Sequence, residues 1–171
     1  FLGSSGNATV TCVNVSGNAV FMSGQTAVQY QVGSGGSVAL RGVSTPLYGS
    51  VAGSSTLRSL VTAARTHQLE AAHTTVVNRA IVANDTLTPA LAALPPLTTT
   101  FDSTNSLALQ LQMVAKMIAA RGSLGARRQV FFVSTGGFDT HDDLVADQPG
   151  LLGNVSNSIK TFFDALAEVG M

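Results

Sequence analysis

The sequence has little of what most often indicates a function. Its one cysteine, Cys12, rules out an internal disulfide and is best interpreted as a small buried hydrophobe on a strand. Charged residues make up only 11% of the chain, well below the ~25% of a typical soluble domain, and the net charge is zero. No basic cluster exceeds Arg127-Arg128, which argues against a nucleic-acid or acidic-lipid partner. No apolar run reaches the ~18 residues that span a bilayer.

What the chain does have is enough apolar material for a sizeable core. It contains 171 residues, 45% of them hydrophobic, with a mean hydropathy of +0.31. This composition predicts a globular fold and excludes a disordered chain. The chain begins at Phe1 and ends directly after a helical pattern, so we expect a single incomplete domain spanning residues 1–171, part of a longer protein.

The first third, residues 1–53, has the composition of β-structure. It is rich in Gly, Ser, Thr and Val, and short β-type runs lie between turn signals. The runs that predict strands are 9–15, 19–23, 27–32 and 37–40. The Gly-Ser-Gly-Gly segment at 33–36 predicts a hairpin turn.

The middle segment, residues 54–104, predicts helix followed by a connector. Apolar residues at helical spacing begin after Ser54–Thr56, a candidate N-cap, and indicate one long helix or two joined ones. The prolines from Pro89 to Pro96 predict that the helix breaks into a connector over 88–105.

The last segment, residues 105–171, predicts a helix, a strand, a loop and a second helix. Its first helix has an apolar stripe and stops at Gly122. The run "RQVFFVS" predicts a strand buried on both faces of a parallel sheet. The second helix is expected to have Pro149 in its first turn and Asp147 as its cap. The chain as a whole is therefore predicted to be α/β, with a β-rich first third.

The loop "TGGFDTHDD" after the predicted strand is the best candidate for a functional site. Ligands of open α/β sheets bind just outside the carboxyl ends of the strands. Gly136 and Gly137 would allow a sharp turn or a close approach to a ligand. Asp139 and His141 are two residues apart, and a carboxylate with a neutral imidazole is a half-site for zinc, manganese or iron.

Two interpretations of this loop stay open. In the first, Asp139 and His141 bind a divalent metal, and Asp142 or Asp143 is a further ligand or orients His141. In the second, Asp139 and Thr140 only shape the turn, while Asp142 and Asp143 are solvated before the next helix. Two ligands do not complete a zinc site, so the other ligands would have to come from elsewhere.

The segment from "LALQLQMVAKM" to "SIKTFFDAL" resembles a known family. It is similar to the exported bacterial proteins grouped as domain of unknown function fifteen-oh-one, a branch of the alkaline phosphatase and sulfatase superfamily. Gly136, Gly137, Asp139, Thr140 and His141 match the family's most recognisable motif. The resemblance is looser over 1–104, where "SGNAVFMSGQTAVQYQVGSGG" and "LYGS" look like the family's β-rich middle region.

The resemblance implies a fold, a location and a chemistry. The fold would be part of an alkaline phosphatase-like sheet flanked by helices, and Asp139 and His141 would bind a divalent metal such as zinc, manganese, iron or calcium. Twin-arginine export leaders in the family imply a periplasmic or secreted protein. The family's other site motifs are expected before Phe1 and after Met171, so the nucleophile is unknown and this portion alone is expected to be inactive.

Two functions follow from these expectations. The first is the central part of a metal-dependent hydrolase that acts on phosphate or sulfate esters of a small molecule or a polysaccharide. The second is a non-catalytic exported binding or surface protein on the same scaffold. Neither function involves nucleic acid, and the oligomeric state is not predicted.

Overall fold

The computed structural model describes residues 6–17, 22–24 and 28–171, which form four helices and one four-stranded sheet. The strands are β1 (Cys12–Asn14), β2 (Tyr30–Gly33), β3 (Gly36–Ser37) and β4 (Val130–Phe132). The helices are α1 (Val51–Thr62), α2 (Gln68–Ala92), α3 (Ser106–Ala119) and α4 (Leu144–Glu168). The predicted α/β class is confirmed.

The chain divides into two compact units. One unit combines Phe1–Gly36 with Ala90–Met171 and contains the sheet, α3 and α4. The other unit, Ser37–Pro89, contains α1 and most of α2. The candidate loop belongs to the first unit.

The sheet has the order β3-β2-β1-β4 and is mostly parallel. Strand β1 pairs in parallel with β2, where Val13 lies opposite Tyr30, and with β4, where Val13 lies opposite Phe131. Strands β2 and β3 are joined by the two-residue turn Ser34-Gly35, a connection short enough only for antiparallel strands. The predicted hairpin turn is therefore observed, and β1, β2 and β4 point their carboxyl ends in one direction.

Three of the four predicted runs contain strand residues, and each of these strands is shorter than its run. Of the run 9–15, residues 9 and 10 belong to the 3-10 turn Ala8–Val10 before β1, and of the run 37–40 only Ser37 is in a strand. The run 19–23 lies outside the described residues except for Met22 and Ser23.

The prediction that "RQVFFVS" is buried on both faces is wrong. Val13 in β1 is fully buried, but Val130 in β4 is 43% exposed and the two phenylalanines are half-buried. Only Val133, just beyond the strand, packs against the core cluster of α3 and α4. An apolar run predicts a strand, whereas the covering of its faces depends on neighbouring elements that the run does not reveal.

The predicted middle helix consists of two helices, and its expected N-cap is displaced. Helix α1 begins after Ser50, whose side chain accepts a hydrogen bond from Gly53 N–H. Ser54 is instead buried within the first turn, where its hydroxyl bonds to Leu47 and Thr45. The cap is four residues earlier because Ser50, and not Ser54, has the extended backbone that a cap requires.

Pro89 does not end the helix as predicted, because α2 continues to Ala92. A proline removes one intrahelical hydrogen bond and crowds the preceding turn. Pro89 stands three residues from the end of α2, so little regular helix follows it. The connector accordingly begins later than predicted, after Ala92.

Helices α3 and α4 pack together and form the core beside the loop. Their cluster consists of Phe101, Leu107, Ala108, Leu111, Ala115 and Ala165. Asn105 caps α3 by accepting from Leu107 N–H at 3.0 Å and Ala108 N–H at 3.4 Å. The same side chain donates to Ser158 Oγ of α4 at 3.0 Å, so one residue both starts α3 and attaches it to α4.

Helix α4 begins earlier than predicted. Its first residue is Leu144, and the amides of Ala146 and Asp147 already bond to Asp143 O. Asp147 therefore lies in the first turn and is not the cap, and Pro149 lies inside the helix. Pro149 has no N–H, so the helix lacks one hydrogen bond to the carbonyl four residues earlier. The helix has already started at that point, because Ala146 N–H and Asp147 N–H bond to Asp143 O.

Candidate metal-binding loop

The start of the loop is fixed by a side chain of α3. Gln110 Nε2 donates to Ser134 O at 2.9 Å, and Gln110 Oε1 accepts from Ser134 N–H at 2.9 Å. The side-chain amide thus pairs with both backbone groups of Ser134, two residues beyond β4, as a neighbouring strand would. Gln110 is only 8% exposed. Sequence reasoning missed it, although a polar residue within the apolar stripe of α3 was a signal.

The two glycines of the loop differ in their structural roles. Gly137 has a φ of +91°, and a Cβ there would lie 3.2 Å from Leu151 Cδ2 of α4. Gly136 has no positive φ and no atom within 4 Å of an added Cβ. Gly137 is therefore required by backbone conformation and close packing, whereas Gly136 leaves open space on its side of the loop.

Asp139 and His141 meet at the outer end of the loop. The distance from Asp139 Oδ1 to His141 Nε2 is 2.8 Å. Their side chains are 87% and 78% exposed, respectively. In an extended loop, side chains two positions apart would point the same way. The two side chains are close together, but a turn and not an extended loop brings them together. His141 has a φ of +29°, and the chain turns at 141–142.

The turn itself is formed by the backbone. Thr140 O accepts a hydrogen bond from Asp143 N–H at 2.8 Å, which leads directly into α4. Asp143 occupies the cap position of α4 but forms no side-chain cap bond. Asp142 and Asp143 are exposed, and neither carboxylate lies within 4 Å of His141 in the described structure.

The separation of the two side chains is that of a direct ion pair or hydrogen bond, slightly shorter than that of two ligands of one ion. Ligand atoms about 2.1 Å from a metal, at tetrahedral or octahedral angles, lie about 3.0 to 3.4 Å apart. The observed 2.8 Å is within a few tenths of an ångström of that range. The described residues hold no group of three or more His, Cys, Asp or Glu side chains placed to bind a metal. They therefore bring together two side chains of metal-binding types and not a complete site.

The end of β1 lies next to the loop. Val15 N–H donates to Phe132 O at 3.0 Å, so the chain leaving β1 runs beside the chain leaving β4. Asn14 is fully buried there, and its Oδ1 accepts from both the amide and the hydroxyl of Ser16. Sequence reasoning did not select Asn14 or Ser16. The pairing of β1 with β4, which places them here, is a long-range contact.

Comparisons with known proteins add no relative: no family model, curated protein or solved structure matches the chain. The resemblance based on the Gly-Gly-Phe-Asp-Thr-His motif therefore stays a prediction. Within the described ranges, no helix combines the length and apolar character needed to cross a bilayer.

Proposed function

We propose that this chain is the central part of an exported, metal-dependent hydrolase of phosphate or sulfate esters, with an alkaline phosphatase-like sheet. The observation that supports the proposal best is the 2.8 Å approach of Asp139 Oδ1 and His141 Nε2 in the loop after β4. A carboxylate and an imidazole converge there at the edge of an α/β sheet where ligands bind.

The residues of the loop would have separate roles in this function. Asp139 would supply a negatively charged oxygen ligand, and His141 a neutral nitrogen ligand. Gly137 and the Thr140 carbonyl would hold the turn that brings the two side chains together. A divalent ion such as zinc, manganese, iron or calcium, once bound, would polarise a phosphoryl or sulfuryl oxygen or lower the pKa of bound water.

The exposure of the pair is consistent with this role. A site for a small-molecule or polysaccharide ester needs access from solvent, and both side chains are largely exposed. Asp142 and Asp143 remain weaker candidates, since their carboxylates lie on the same exposed turn without contacting His141. The remaining ligands and the nucleophile would have to come from outside the described residues, and periplasmic or secreted location is part of the proposal.

A second function is favoured by the small number of ligands. Because the described part of the chain offers only two converging metal-binding side chains, the loop also fits a non-catalytic exported binding or surface protein. In such a protein, the contact between Asp139 and His141 would be an exposed ion pair, which stabilises little.

Metal analysis of the full-length protein distinguishes these functions. We expect Asp139→Ala and His141→Ala each to lower the affinity for the bound divalent ion by at least about tenfold, because each removes one ligand. Asp147→Ala is the matched control, since it removes a carboxylate in the first turn of α4 and should leave metal content unchanged.

The reaction class requires a separate assay with the same proteins. Aryl phosphates and aryl sulfates should be hydrolysed by the wild type and not by either variant. Unchanged metal content in both variants would reject the ligand assignment. Hydrolysis that survives both substitutions would place the chemistry elsewhere, and a metal-loaded protein without hydrolysis would favour the binding function.

A further inference from the structure

We propose that a second site, remote in sequence from the loop, binds small monocarboxylates with an apolar body. The site is a cavity of about 450 Å³ between the connector after α2, the end of α3 and the end of α4. Its walls are mainly apolar and include Leu94, Pro95, Leu97, Ala119 and Val169. Ligand pockets typically have volumes of about 300 to 1,000 Å³ and mostly apolar walls.

A second cavity adjoins the first. Its volume is about 360 Å³, and it shares Leu94, Pro95, Pro96 and Lys116 with the larger one. The two cavities therefore share the proline segment and the lysine as part of their walls. An elongated apolar ligand that fills the larger cavity would place one end near Lys116.

The wall formed by the connector is held in place by Glu168. Its carboxylate accepts hydrogen bonds from Thr98 N–H at 2.6 Å, Thr99 N–H at 2.9 Å and Thr99 Oγ1 at 2.7 Å. These bonds attach the connector to the last turn of α4. Together with the fixed φ of Pro95 and Pro96, they pre-form the cavity, which lowers the entropy cost of binding.

Lys116 provides the charge that selects the ligand. The chain has two lysines, and Lys160 is paired with Asp164 at 2.6 Å on α4. Lys116 is half-buried, lines both cavities and has no carboxylate within 4 Å among the described residues. A half-buried lysine can pack its apolar stem against apolar walls while its ammonium binds a ligand anion.

Glu168 limits the ligand to a single negative charge. It lines the same cavity, and the Thr99 hydroxyl with the Thr98 and Thr99 amides lowers its pKa to about 2, so it is ionised at neutral pH. A phosphate monoester, a dianion at neutral pH, would find only one cation here and be repelled by this carboxylate. A ligand with one carboxylate on an apolar chain offers an anion to the Lys116 ammonium and an apolar body to the walls. It carries a single negative charge, as Glu168 requires.

Calorimetric titration of the intact protein with octanoate tests the proposal. Lys116→Met, which keeps the apolar stem, should weaken octanoate binding about tenfold, equivalent to about 1.4 kcal/mol. Lys160→Met is the matched control and should bind octanoate as the wild type does. Octan-1-ol and octylammonium should both bind the wild type more weakly than octanoate.

Three results would overturn the proposal: no octanoate binding at low-millimolar concentration, equal binding by the Lys116 variant, or preference for the alcohol or the amine. Methyl chemical shifts of Leu94, Leu97 and Val169 in the wild type supply a readout that does not depend on a variant folding, and octanoate should move them. Because this site does not involve the loop after β4, Asp139→Ala should leave octanoate binding unchanged. Failure of either proposal is therefore distinguishable from failure of the other.

Discussion

The two adjacent glycines of the loop differ in backbone conformation. Gly136 and Gly137 are adjacent and were expected to share one role. Only Gly137 has a left-handed φ, and only Gly137 is packed against α4. The sequence can indicate that a turn follows β4, but not which of the two glycines adopts the strained conformation.

Substitution of Gly137 by alanine should destabilise the protein by about 1 to 2 kcal/mol, the cost of placing an L-residue in the left-handed region. The added Cβ would also lie 3.2 Å from Leu151 Cδ2, so the end of that side chain would have to shift by a few tenths of an ångström. Denaturant unfolding measures the change. Gly136→Ala is the control and should lie within about 0.5 kcal/mol of the wild type; equal effects of the two substitutions would contradict the assigned conformation.

The candidate ligands were also predictable in part at this scale. Asp139 and His141 were selected because their side chains are of types that bind metals and follow a strand. The structure brings them to 2.8 Å, but through a turn with a positive φ at His141 and not through an extended loop. Residue type and spacing were sufficient to select the pair, whereas the geometry depends on the turn that starts α4.

Among the elements, α3 has the largest influence on the loop because it fixes the end of β4. The two hydrogen bonds between Gln110 and Ser134 connect the helix to the backbone two residues beyond the strand. A helical stripe in the sequence identifies α3 as a core helix. It does not show that the polar residue Gln110 bonds to Ser134, 24 positions later in the chain.

Gln110→Leu should remove both bonds and cost about 1 kcal/mol, since Ser134 is exposed enough for water to replace part of the interaction. Amide hydrogen exchange at Ser134 is the direct measurement, and its protection should fall. Gln112→Leu, on the same helix but without such a bond in the described structure, is the control. Unaltered exchange at Ser134 in the Gln110 variant would show that the strand end does not depend on α3.

Helix boundaries were the least predictable features of the elements. Pro89 predicts the end of one helix and Pro149 the first turn of another, yet both prolines lie inside helices. Ser50 and Asp143 occupy the true cap positions. A proline removes one hydrogen bond, a local cost that packing and neighbouring turns can exceed, so it is a weaker boundary signal than the backbone conformation of the cap residue.

At the scale of the whole molecule, one carboxylate joins distant parts of the chain. Glu168, near the last residue, binds Thr98 and Thr99, about 70 positions earlier. These donors, with the Thr99 hydroxyl as the largest contribution, lower the pKa of Glu168 from an ordinary value of 4.5 to about 2. Because the folded pKa lies below the unfolded one, this contribution to stability is complete above the ordinary value and is lost as the pH falls toward about 2.

We expect Glu168→Gln to flatten the loss of stability between these two pH values, because the amide does not titrate there. Urea unfolding midpoints measured from pH 2 to pH 6 provide the test. Some slope should remain, since the hydroxyl and amide of Thr104 also lower the pKa of Asp102. Glu70→Gln makes the same chemical change at the only other glutamate and should keep the wild-type slope. A wild-type slope in the Glu168 variant would show that the bonds from Glu168 to Thr98 and Thr99 do not cause the pH dependence.

The sequence by itself determined the class of fold, the approximate position of the elements and the loop that carries the candidate ligands. These properties follow from composition, from the period of the apolar residues and from residue types at one strand end, all of which are local. Tertiary structure alone decided which faces of β4 are covered, which glycine is strained, and that Gln110 and Glu168 bond to partners far away in the chain. These properties depend on contacts between residues far apart in the chain, and no local pattern specifies the partner in such a contact.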